Sequence, residues 1–273
     1  MKKQTNRFLK FLLTAAAVFM LIRIALYDGL VVRQYELRTP LVSVPHTFAV
    51  ISDLHATYYG KEQQTLIHTI RRYDPEAVFL VGDIADDKRD FDGTAVFLKG
   101  MSAESPCYYV TGNHERWLDY TEDIKELMHS YGITVLDETS GVRILGGEIR
   151  LYGIDDPLFY GSSEEYRSCL DSLKTSDSAF DLLLAHRPEF YENYRSSGMN
   201  LVICGHAHGG QVRIPFLLNG LFAPNQGYFP EYAGGFYADQ DFTMIVSRGL
   251  MKNDIPRIFN PPEVCIVRIL PEE

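Results

Sequence analysis

The stretch NLVICGHAHGGQ, residues 200–211, passes from a run of apolar residues into two histidines framed by glycines. A short apolar run of this kind, rich in β-branched residues, is typical of a buried β-strand. His206 and His208 follow at its carboxyl end, and the glycines beside them leave the backbone free to turn, so that each imidazole can face its own partner. The stretch therefore predicts a strand that ends in a polar loop able to bind a ligand.

Seven other short runs have the same strand-like character, and helical patterns such as KEQQTLIHTIRRY (residues 61–73) separate several of them. The seven runs are residues 47–52, 76–82, 107–112, 149–153, 180–185, 242–247 and 264–269. Strands that alternate with helices favour an α/β fold. With 273 residues, of which 46% are hydrophobic, the chain has enough apolar material for one globular domain of this class.

Polar clusters follow five of these eight runs at their carboxyl ends. They are SDLH (52–55), GDIAD (82–86), GNHE (112–115), HRPE (186–189) and GHAH (205–208). Any one of them alone is more simply explained by turn formation. Ligands bind at the carboxyl ends of the strands in open α/β sheets. Five clusters at the same end of successive strands therefore indicate one shared site.

The side chains in these clusters have the composition of a transition-metal site. Imidazole nitrogens and carboxylate oxygens together suit Zn, Fe or Mn better than Ca or Mg, which prefer oxygen alone. The candidate ligands are Asp53, His55, Asp83, Asn113, His186, His206 and His208. This set exceeds the needs of one ion, and a carboxylate can bridge two ions roughly 3.5–4 Å apart. Such a pair of ions produces hydroxide from water at neutral pH and suits phosphoester hydrolysis. We therefore expect two divalent ions of Mn, Fe or Zn.

The clusters also match a known motif set in order. The matching segments are Asp53-x-His55, Gly82-Asp83-x-x-Asp86, Gly112-Asn113-His114-Glu115, His186 and Gly205-His206-x-His208, for the pattern DxH…GDxxD…GNH[DE]…H…GHxH. The chain therefore resembles the calcineurin-like metallophosphoesterases, and its tail after residue 208 is similar to that of their membrane-anchored bacterial branch. The resemblance implies an α/β sandwich of two mixed β-sheets flanked by helices. The strand pattern alone is equally compatible with a single doubly wound sheet.

The resemblance also implies a role for each motif residue. One metal would be held by Asp53, His55 and His208, the other by Asn113, His186 and His206, with Asp83 as the bridge. A carboxylate between two dications reduces their repulsion. His114 would face the substrate as the general acid, and Asp86 would fix its tautomer. Glu115 would cap or brace its loop.

Together these features predict a binuclear phosphoesterase that uses a hydroxide bridging the metals to cleave a phosphodiester or pyrophosphate bond. The bacterial branch points to a lipid-linked or nucleotide-sugar substrate, similar to UDP-2,3-diacylglucosamine. Two alternatives stay open: a non-catalytic protein that binds the cell envelope, and a phosphoprotein phosphatase. The second is disfavoured because protein phosphatases of this superfamily carry GDxxDRG, where this chain reads GDIADDKRD (residues 82–90).

The tail after the last motif contains further candidates for contact with the substrate. Arg213 is the candidate for binding a substrate phosphate through its guanidinium group, with a surface charge as the equal alternative. Arg248 and Arg257 are expected to be surface charges. Four aromatic residues are expected to pack as a small core that braces their loop, and an apolar groove for a lipid or sugar is the alternative. They are Phe222, Tyr228, Phe229 and Tyr232.

The N-terminus differs in composition from the rest of the chain. Residues 8–32 carry only Lys10, Arg23 and Asp28 as charged residues, and a helix at about residues 8–30 is long enough to span a bilayer. More cations precede this segment than follow it, which favours a cytoplasmic N-terminus and an extracytoplasmic catalytic domain. We expect a single-pass membrane anchor in residues 1–35, a linker in 36–46 and the phosphoesterase domain in 47–273. A cleaved signal peptide is the alternative.

Charge and cysteine content limit the partners. Acidic residues outnumber basic ones by 36 to 26, and the net charge of -10 leaves no broad cationic surface for nucleic acid. We therefore expect a phosphoester substrate and the membrane as partners, no nucleic acid, and a monomer. The four cysteines are too scattered for zinc-binding CxxC pairs, and we expect buried free thiols.

Overall fold

The computed structural model describes residues 2–86, 91–117, 121–136, 141–173, 179–239, 241–252 and 255–272. Within these ranges the α-helices are α1 (Lys2–Ala25), α2 (Gln64–Arg71), α3 (Asp92–Ser102), α4 (Asn113–Trp117), α5 (Thr121–Ser130), α6 (Ser163–Ser172) and α7 (Tyr191–Ser196). The β-strands are β1 (Val31–Thr39), β2 (His46–Ile51), β3 (Ala77–Val81), β4 (Cys107–Val110), β5 (Thr134–Val135), β6 (Val142–Ile144), β7 (Ile149–Ile154), β8 (Phe180–Ala185), β9 (Leu201–Cys204), β10 (Phe222–Ala223), β11 (Gly227–Tyr228), β12 (Gly235–Asp239), β13 (Phe242–Val246) and β14 (Glu263–Pro271). Residues 87–90, where the arginine of protein phosphatases would be expected, lie outside the described ranges.

Two six-stranded sheets form the framework of the protein. The first has the strand order β1-β14-β2-β3-β4-β5, and the second has the order β12-β13-β9-β8-β7-β6. Strand β14 is antiparallel to β2. In the second sheet β12 is antiparallel to β13, and β6 is antiparallel to β7. The other neighbouring strands run parallel, so both sheets are mixed.

The core between the two sheets follows from the period-two alternation of the strands. Phe48 of β2 and Phe79 of β3 stack with their ring centroids 4.8 Å apart. They share a buried cluster with Leu182 and Leu184 of β8, which come from the opposite sheet. Ala49, the residue between two inward-facing positions of β2, belongs instead to the cluster on the outer face.

Helices cover the outer face of each sheet. Leu66 of α2, Phe97 of α3 and Met128 of α5 pack on the first sheet. Tyr166 of α6 and Tyr194 of α7 pack on the second sheet, with their hydroxyl oxygens 2.9 Å apart. The four cysteines are free and three of them are buried in these cores, as expected. The predicted α/β sandwich of two mixed sheets flanked by helices is therefore confirmed.

The carboxyl ends of the central strands meet at one edge of the sandwich. In the first sheet, the amide of Asp53 after β2 donates to the carbonyl of Gly82 after β3 at 3.0 Å. In the second sheet, the amide of Gly205 after β9 donates to the carbonyl of His186 after β8 at 3.0 Å. Nδ1 of His186 lies 2.9 Å from the carbonyl oxygen of Val81, which connects the two sheets. The polar clusters therefore lie together, as the strand pattern predicts.

The N-terminal boundaries differ from the predicted ones. Helix α1 ends at Ala25, and not near residue 30. Residues 31–39 form β1, whose Tyr35 and Leu37 pack against the core between the sheets, so the first sheet begins inside the predicted anchor flank and linker. Among the described residues, α1 is the one helix long and apolar enough to cross a membrane, through the 20-residue segment Asn6–Ala25.

Candidate metal centre

The loops that carry the candidate ligands have an unusual backbone. Five of these residues adopt positive φ angles: Asp53 (49°), His55 (47°), Asp83 (53°), His206 (66°) and His208 (47°). The left-handed region is small for residues other than glycine, although Asp and His enter it more often than most. Each such residue costs on the order of 1–3 kcal/mol, and such strain persists where the surrounding structure fixes it, often at functional sites.

A first cluster gathers ligand atoms from both sheets. Asp53, His55, Asp83 and His208 each offer one atom within 4.8 Å of the others. Nε2 of His208 lies 3.6 Å from Oδ1 of Asp53, and Nε2 of His55 lies 3.7 Å from Oδ2 of Asp83. The amide of His206 donates to Oδ1 of Asp53 at 2.9 Å and so fixes the orientation of this carboxylate.

A second cluster shares Asp83 with the first. It consists of Asp83, His186 and His206, again with ligand atoms within 4.8 Å of one another. Nε2 of His186 lies 3.1 Å from Oδ2 of Asp83. Asn113, the first residue of α4, is buried, and its Oδ1 has no hydrogen-bond partner among the described residues. Because a buried oxygen without a partner is costly, this atom is suited to a cation.

Hydrogen bonds on the far side of three imidazoles determine which nitrogen faces the clusters. Nδ1 of His186 is 2.9 Å from the Val81 carbonyl oxygen, so Nδ1 carries a proton and Nε2 is the nitrogen that faces the cluster. Nδ1 of His55 lies 3.1 Å from Oδ2 of Asp86. Nε2 of His206 lies 2.9 Å from Oδ1 of Asn225. Metal-binding histidines have outer partners of these kinds, which set the tautomer.

Burial keeps two of the imidazoles neutral. It is the main reason that the pKa of His206 falls to about 3, with a contribution from the neighbouring His186. Burial likewise lowers the pKa of His208 well below its usual value. Neutral imidazole is the form that binds a metal ion, so both residues are in the required state at neutral pH.

The shared carboxylate is charged and paired. Burial disfavours the ionised form of Asp83, but His186 and His55 outweigh it and hold its pKa well below the usual range. Burial also acts against a charge on His186, yet the carboxylates of Asp83 and Asp53 raise its pKa to about 10. Burial raises the pKa of Asp53 itself. Asp83 is therefore a carboxylate whose charged form is stabilised by positively charged neighbours.

Glu115 holds two of the ligand loops together. Its carboxylate is fully buried and accepts hydrogen bonds from the amides of Asp83 (2.9 Å), Ile84 (2.7 Å), Ala85 (3.0 Å) and Gly112 (2.8 Å). Burial and, after it, the charge of Asp83 raise the pKa of Glu115 to about 7, although the hydrogen bonds from the amides of Ala85 and Gly112 lower it. The bracing role expected for this residue is therefore observed, across the loop after β3 as well as its own.

Glycines allow the backbone to approach the carboxylates closely. A Cβ atom added at Gly205 would lie 2.6 Å from Oδ2 of Asp53, and one at Gly249 would lie 2.6 Å from Cβ of Asp53. A Cβ atom at Gly112 would overlap with the carboxylate and amide of Asp83. Larger residues at these positions would push the carboxylates out of place, because real Cβ atoms do not approach other atoms this closely.

His114 lies at the mouth of the site. Its amide donates to Oδ1 of Asp83 at 2.8 Å, and its ring packs edge-on against His55 (4.4 Å between centroids) and Trp117 (4.6 Å). His55, Asp86 and His114 also form a group with ligand atoms within 4.8 Å of one another. The hydrogen bond that Nδ1 of His55 donates to Oδ2 of Asp86 is a contact that the motif did not predict. The role of Asp86 in fixing the tautomer of His114 stays a prediction.

Two of the tail arginines differ from expectation. Arg248 and Arg257 are 5% and 8% exposed, so the prediction that they are surface charges is wrong. Arg257 donates to the carbonyls of Asn260 (2.8 Å) and Met251 (3.1 Å), which satisfies its guanidinium inside the fold. Arg213 lines a cavity with Arg33 and Arg248 that contains no candidate metal ligand, and its role in substrate binding stays a prediction.

The aromatic residues of the tail are mostly exposed. Phe222, Tyr228 and Phe229 are 47%, 72% and 69% exposed, so the expectation of a packed core is wrong for them. Tyr232 does pack, with its ring stacked on Tyr191 at 4.6 Å. The reason is that β10 and β11 form a hairpin of two residues per strand, which is too short to cover its own side chains.

Three contributors were not identified from the sequence. Asn225 is in the turn between β10 and β11, 19 residues from the histidine that it contacts, and Gly249 approaches Asp53 from a segment almost 200 residues away. Arg257 braces the segment after β13 from the loop before β14. Asn225 and Gly249 have positive φ angles of 61° and 70°, which the structure shows but the sequence does not indicate.

Comparison with known proteins identifies the family of this chain. Residues 46–210 match the family model described as Calcineurin-like phosphoesterase. The metallophosphoesterase YkuE of Bacillus subtilis is 28% identical over 238 residues, which cover 82% of this chain and 80% of YkuE. The phosphodiesterase YaeI of Escherichia coli is 28% identical over 201 residues, covering 72% of this chain and 71% of YaeI. A zebrafish (Danio rerio) transmembrane protein with a metallophosphoesterase domain is 27% identical over 234 residues, covering 77% of this chain and 50% of that protein. The chain therefore belongs to the calcineurin-like phosphoesterase family and is a hydrolase of phosphate esters.

Proposed function

We propose that this protein is a binuclear metal-dependent phosphoesterase that cleaves a phosphodiester or pyrophosphate bond in a lipid-linked or nucleotide-sugar substrate. The observation that carries the proposal is Asp83, a buried carboxylate shared by two separate groups of ligand atoms. Nε2 of His55 and Nε2 of His186 approach its Oδ2 at 3.7 and 3.1 Å. A carboxylate in this position is what a bridge between two cations requires.

The donor set fits two divalent transition-metal ions. One would be held by Asp53, His55 and His208, and the other by Asn113, His186 and His206, with Asp83 common to both. Mixed imidazole and oxygen donors suit Mn, Fe or Zn, and the partnerless Oδ1 of Asn113 supports the second set. When bound, such ions activate water and polarise the phosphoryl oxygens.

His114 is the proposed general acid. Its amide is tied to Asp83 and its ring is held between His55 and Trp117, so the imidazole is fixed beside the cluster but is not fully enclosed. From this position it would donate a proton to the leaving oxygen of the substrate. Asp86, within 4.8 Å of both His55 and His114, would orient these imidazoles.

The exposed aromatic residues support an apolar substrate portion. Asn225, in the turn of the β10–β11 hairpin, lies 2.9 Å from Nε2 of His206, so the hairpin that carries Phe222 and Tyr228 contacts a candidate metal ligand. Their rings contact each other at 5.3 Å and are largely exposed. Exposed apolar rings beside a catalytic site are suited to contact a lipid chain or a sugar face.

Membrane anchoring through α1 completes the proposal. The segment Asn6–Ala25 has the length and composition of a membrane-spanning helix. The zebrafish relative is named as a transmembrane protein. The excess of cations before this segment favours a cytoplasmic N-terminus with the catalytic domain outside the cytoplasm. Protease treatment of intact cells should then digest the catalytic domain, and protection of the domain would contradict this orientation.

The catalytic proposal is tested with a chromogenic phosphodiester and Mn²⁺. The full chain is compared with Asp83→Asn and with Asp74→Asn, a control at an exposed position whose positive φ of 45° suits asparagine. We expect Asp83→Asn to abolish both hydrolysis and metal retention, and Asp74→Asn to match the wild type. Full activity in Asp83→Asn would contradict the bridge. Faster hydrolysis of a phosphopeptide than of the diester would favour the phosphoprotein phosphatase, and metal binding without any hydrolysis would favour a non-catalytic role.

A further inference from the structure

An apolar finger projects from the segment that follows the last metal ligand. It consists of Ile214–Leu218, of which Phe216 is 107% and Leu217 is 85% exposed, while Ile214 is 45% exposed. Fully exposed large apolar side chains at the tip of a loop are rare on a water-facing surface and mark a binding surface.

Three of the four amides in the finger form hydrogen bonds within it. The amide of Ile214 donates to the carbonyl of Leu218 at 3.0 Å, and the amides of Leu217 and Leu218 donate to the carbonyl of Ile214 at 3.0 and 2.8 Å. Pro215 has no amide hydrogen to satisfy. Because most of its amides are paired internally, the loop loses few hydrogen bonds to water when it enters the headgroup region of a bilayer.

The finger lies beside the end of α1. The amide of Phe259 donates to the carbonyl of Ala25, the last residue of the helix, at 2.7 Å. The neighbouring Ile258 accepts a hydrogen bond from the amide of Arg213, at the base of the finger, at 2.9 Å. Arg23 and Tyr27 from the helix end line the same groove as Pro215 and Phe259, with a volume of about 420 Å³. The finger is therefore held at the level of the helix terminus.

Arginines lie at the base of the finger. Arg33, Arg213 and Arg248 line a cavity of about 590 Å³ together with residues of the finger. Glu263 pairs with Arg248 and lies 3.9 Å from Arg33, which leaves an excess of positive charge. Nη1 of Arg213 is buried and has no hydrogen-bond partner among the described residues. In a chain with a net charge of -10, this local positive charge suits a phosphate group.

We infer that the Ile214–Leu218 finger is a second membrane-binding element, which inserts Phe216 and Leu217 into the bilayer that holds α1 and places an anionic phospholipid headgroup against Arg33 and Arg213. This inference rests on the proposed anchoring by α1. Because the finger lies beside the end of α1, the bilayer is the partner that its apolar tip would contact. The arginine-lined cavity at the base of the finger is suited to the negative charge of a phospholipid headgroup. The finger would fix the orientation of the catalytic domain relative to the membrane surface.

The test places a tryptophan at the tip of the finger in the full chain, reconstituted in nanodiscs with acyl-chain-brominated lipids. Phe216→Trp is compared with Val44→Trp, an exposed apolar position beyond the far end of β1, whose nine residues span roughly 30 Å. Wild-type protein supplies the background emission of Trp117. Leu217→Trp repeats the measurement at a second exposed position. Hydrolysis of a soluble diester at the wild-type rate shows that each tryptophan variant is folded.

We expect the brominated lipids to reduce the added emission of Phe216→Trp and Leu217→Trp on the order of twofold, and that of Val44→Trp hardly at all. The reduction should be stronger in discs with phosphatidylglycerol than in pure phosphatidylcholine, and Arg33→Gln with Arg213→Gln should remove that difference. If chains that stay in the disc show equal quenching at positions 216 and 44, the inference about the finger is overturned, but the anchoring by α1 is not. A chain that does not remain in the disc would overturn the anchoring and the finger together.

Discussion

The substitution Gly249→Ala tests how tightly the backbone encloses the first ligand cluster. A Cβ atom at this position would lie 2.6 Å from Cβ and 2.8 Å from Oδ2 of Asp53, and Gly249 has a φ of +70°. Gly132→Ala is a matched control, because Gly132 has a φ of +73° but no atom within 4 Å of an added Cβ. The two variants share the cost of the left-handed backbone, and only one of them adds a steric conflict with a candidate ligand.

The expected magnitudes follow from these two contributions. The left-handed conformation costs an alanine about 1–2 kcal/mol of unfolding free energy. The steric conflict at position 249 adds about 1–3 kcal/mol, as overpacking of a dense site does. We therefore expect losses of about 1–2 kcal/mol for Gly132→Ala and about 2–5 kcal/mol for Gly249→Ala. Because Asp53 must move, Gly249→Ala should also weaken Mn²⁺ binding by roughly 10–100-fold.

Urea unfolding followed by circular dichroism gives the free energies, and competition with a chelator gives the Mn²⁺ affinity. Both variants are measured in the full chain under the same conditions. Equal losses of stability in the two variants would refute the steric argument. Wild-type Mn²⁺ affinity in Gly249→Ala would show that Asp53 is not a ligand or that its position does not matter.

Three further predictions concern residues around the clusters. His114→Ala should retain the metal content of the wild type but lower kcat by about 10²–10⁴-fold, most for diesters with a poor leaving group; an equal loss for all leaving groups would contradict the general-acid role. Glu115→Ala leaves four amides without their acceptor and should lower the unfolding free energy by about 3 kcal/mol or more, measured by urea titration, whereas a loss below about 1 kcal/mol would contradict the bracing role. Asn225→Ala removes the hydrogen-bond partner of His206 and should lower the affinity for the more loosely held ion about 10-fold or more. Competition with a chelator measures this affinity, and an unchanged value would contradict the prediction.

The sequence was most informative where chemistry and strand ends coincide. Buried parallel strands have continuous apolar runs, so the polar residues that follow Ile51, Val81 and Cys204 stand out, and their placement at one edge follows from parallel pairing. All eight predicted runs contain strands. Strand β1 was not recognised, because it lies at the edge of its sheet and its polar residues resemble those of a linker.

Side chains whose roles depend on distant segments could not be predicted. A role for Glu115 in its own loop was expected, but its contacts with the loop after β3 were not, because no local pattern indicates that two loops bring four amides to one carboxylate. Arg248 and Arg257 are polar residues in a segment rich in turns, which favours a surface position, yet Glu263 and several carbonyls compensate their charge inside the fold. The exposure of Phe222 and Tyr228 likewise depends on how little of the chain covers their hairpin.

In the proposed metal centre, one carboxylate, that of Asp83, joins two metal ions. The most direct measurement is electron paramagnetic resonance of the full chain loaded with Mn²⁺, together with the number of ions retained per chain. We predict two ions per chain with the spectrum of an exchange-coupled pair, and loss of that coupling in Asp83→Asn but not in Asp74→Asn. A single ion per chain, or two ions without exchange coupling in the wild type, would contradict the bridging role of Asp83.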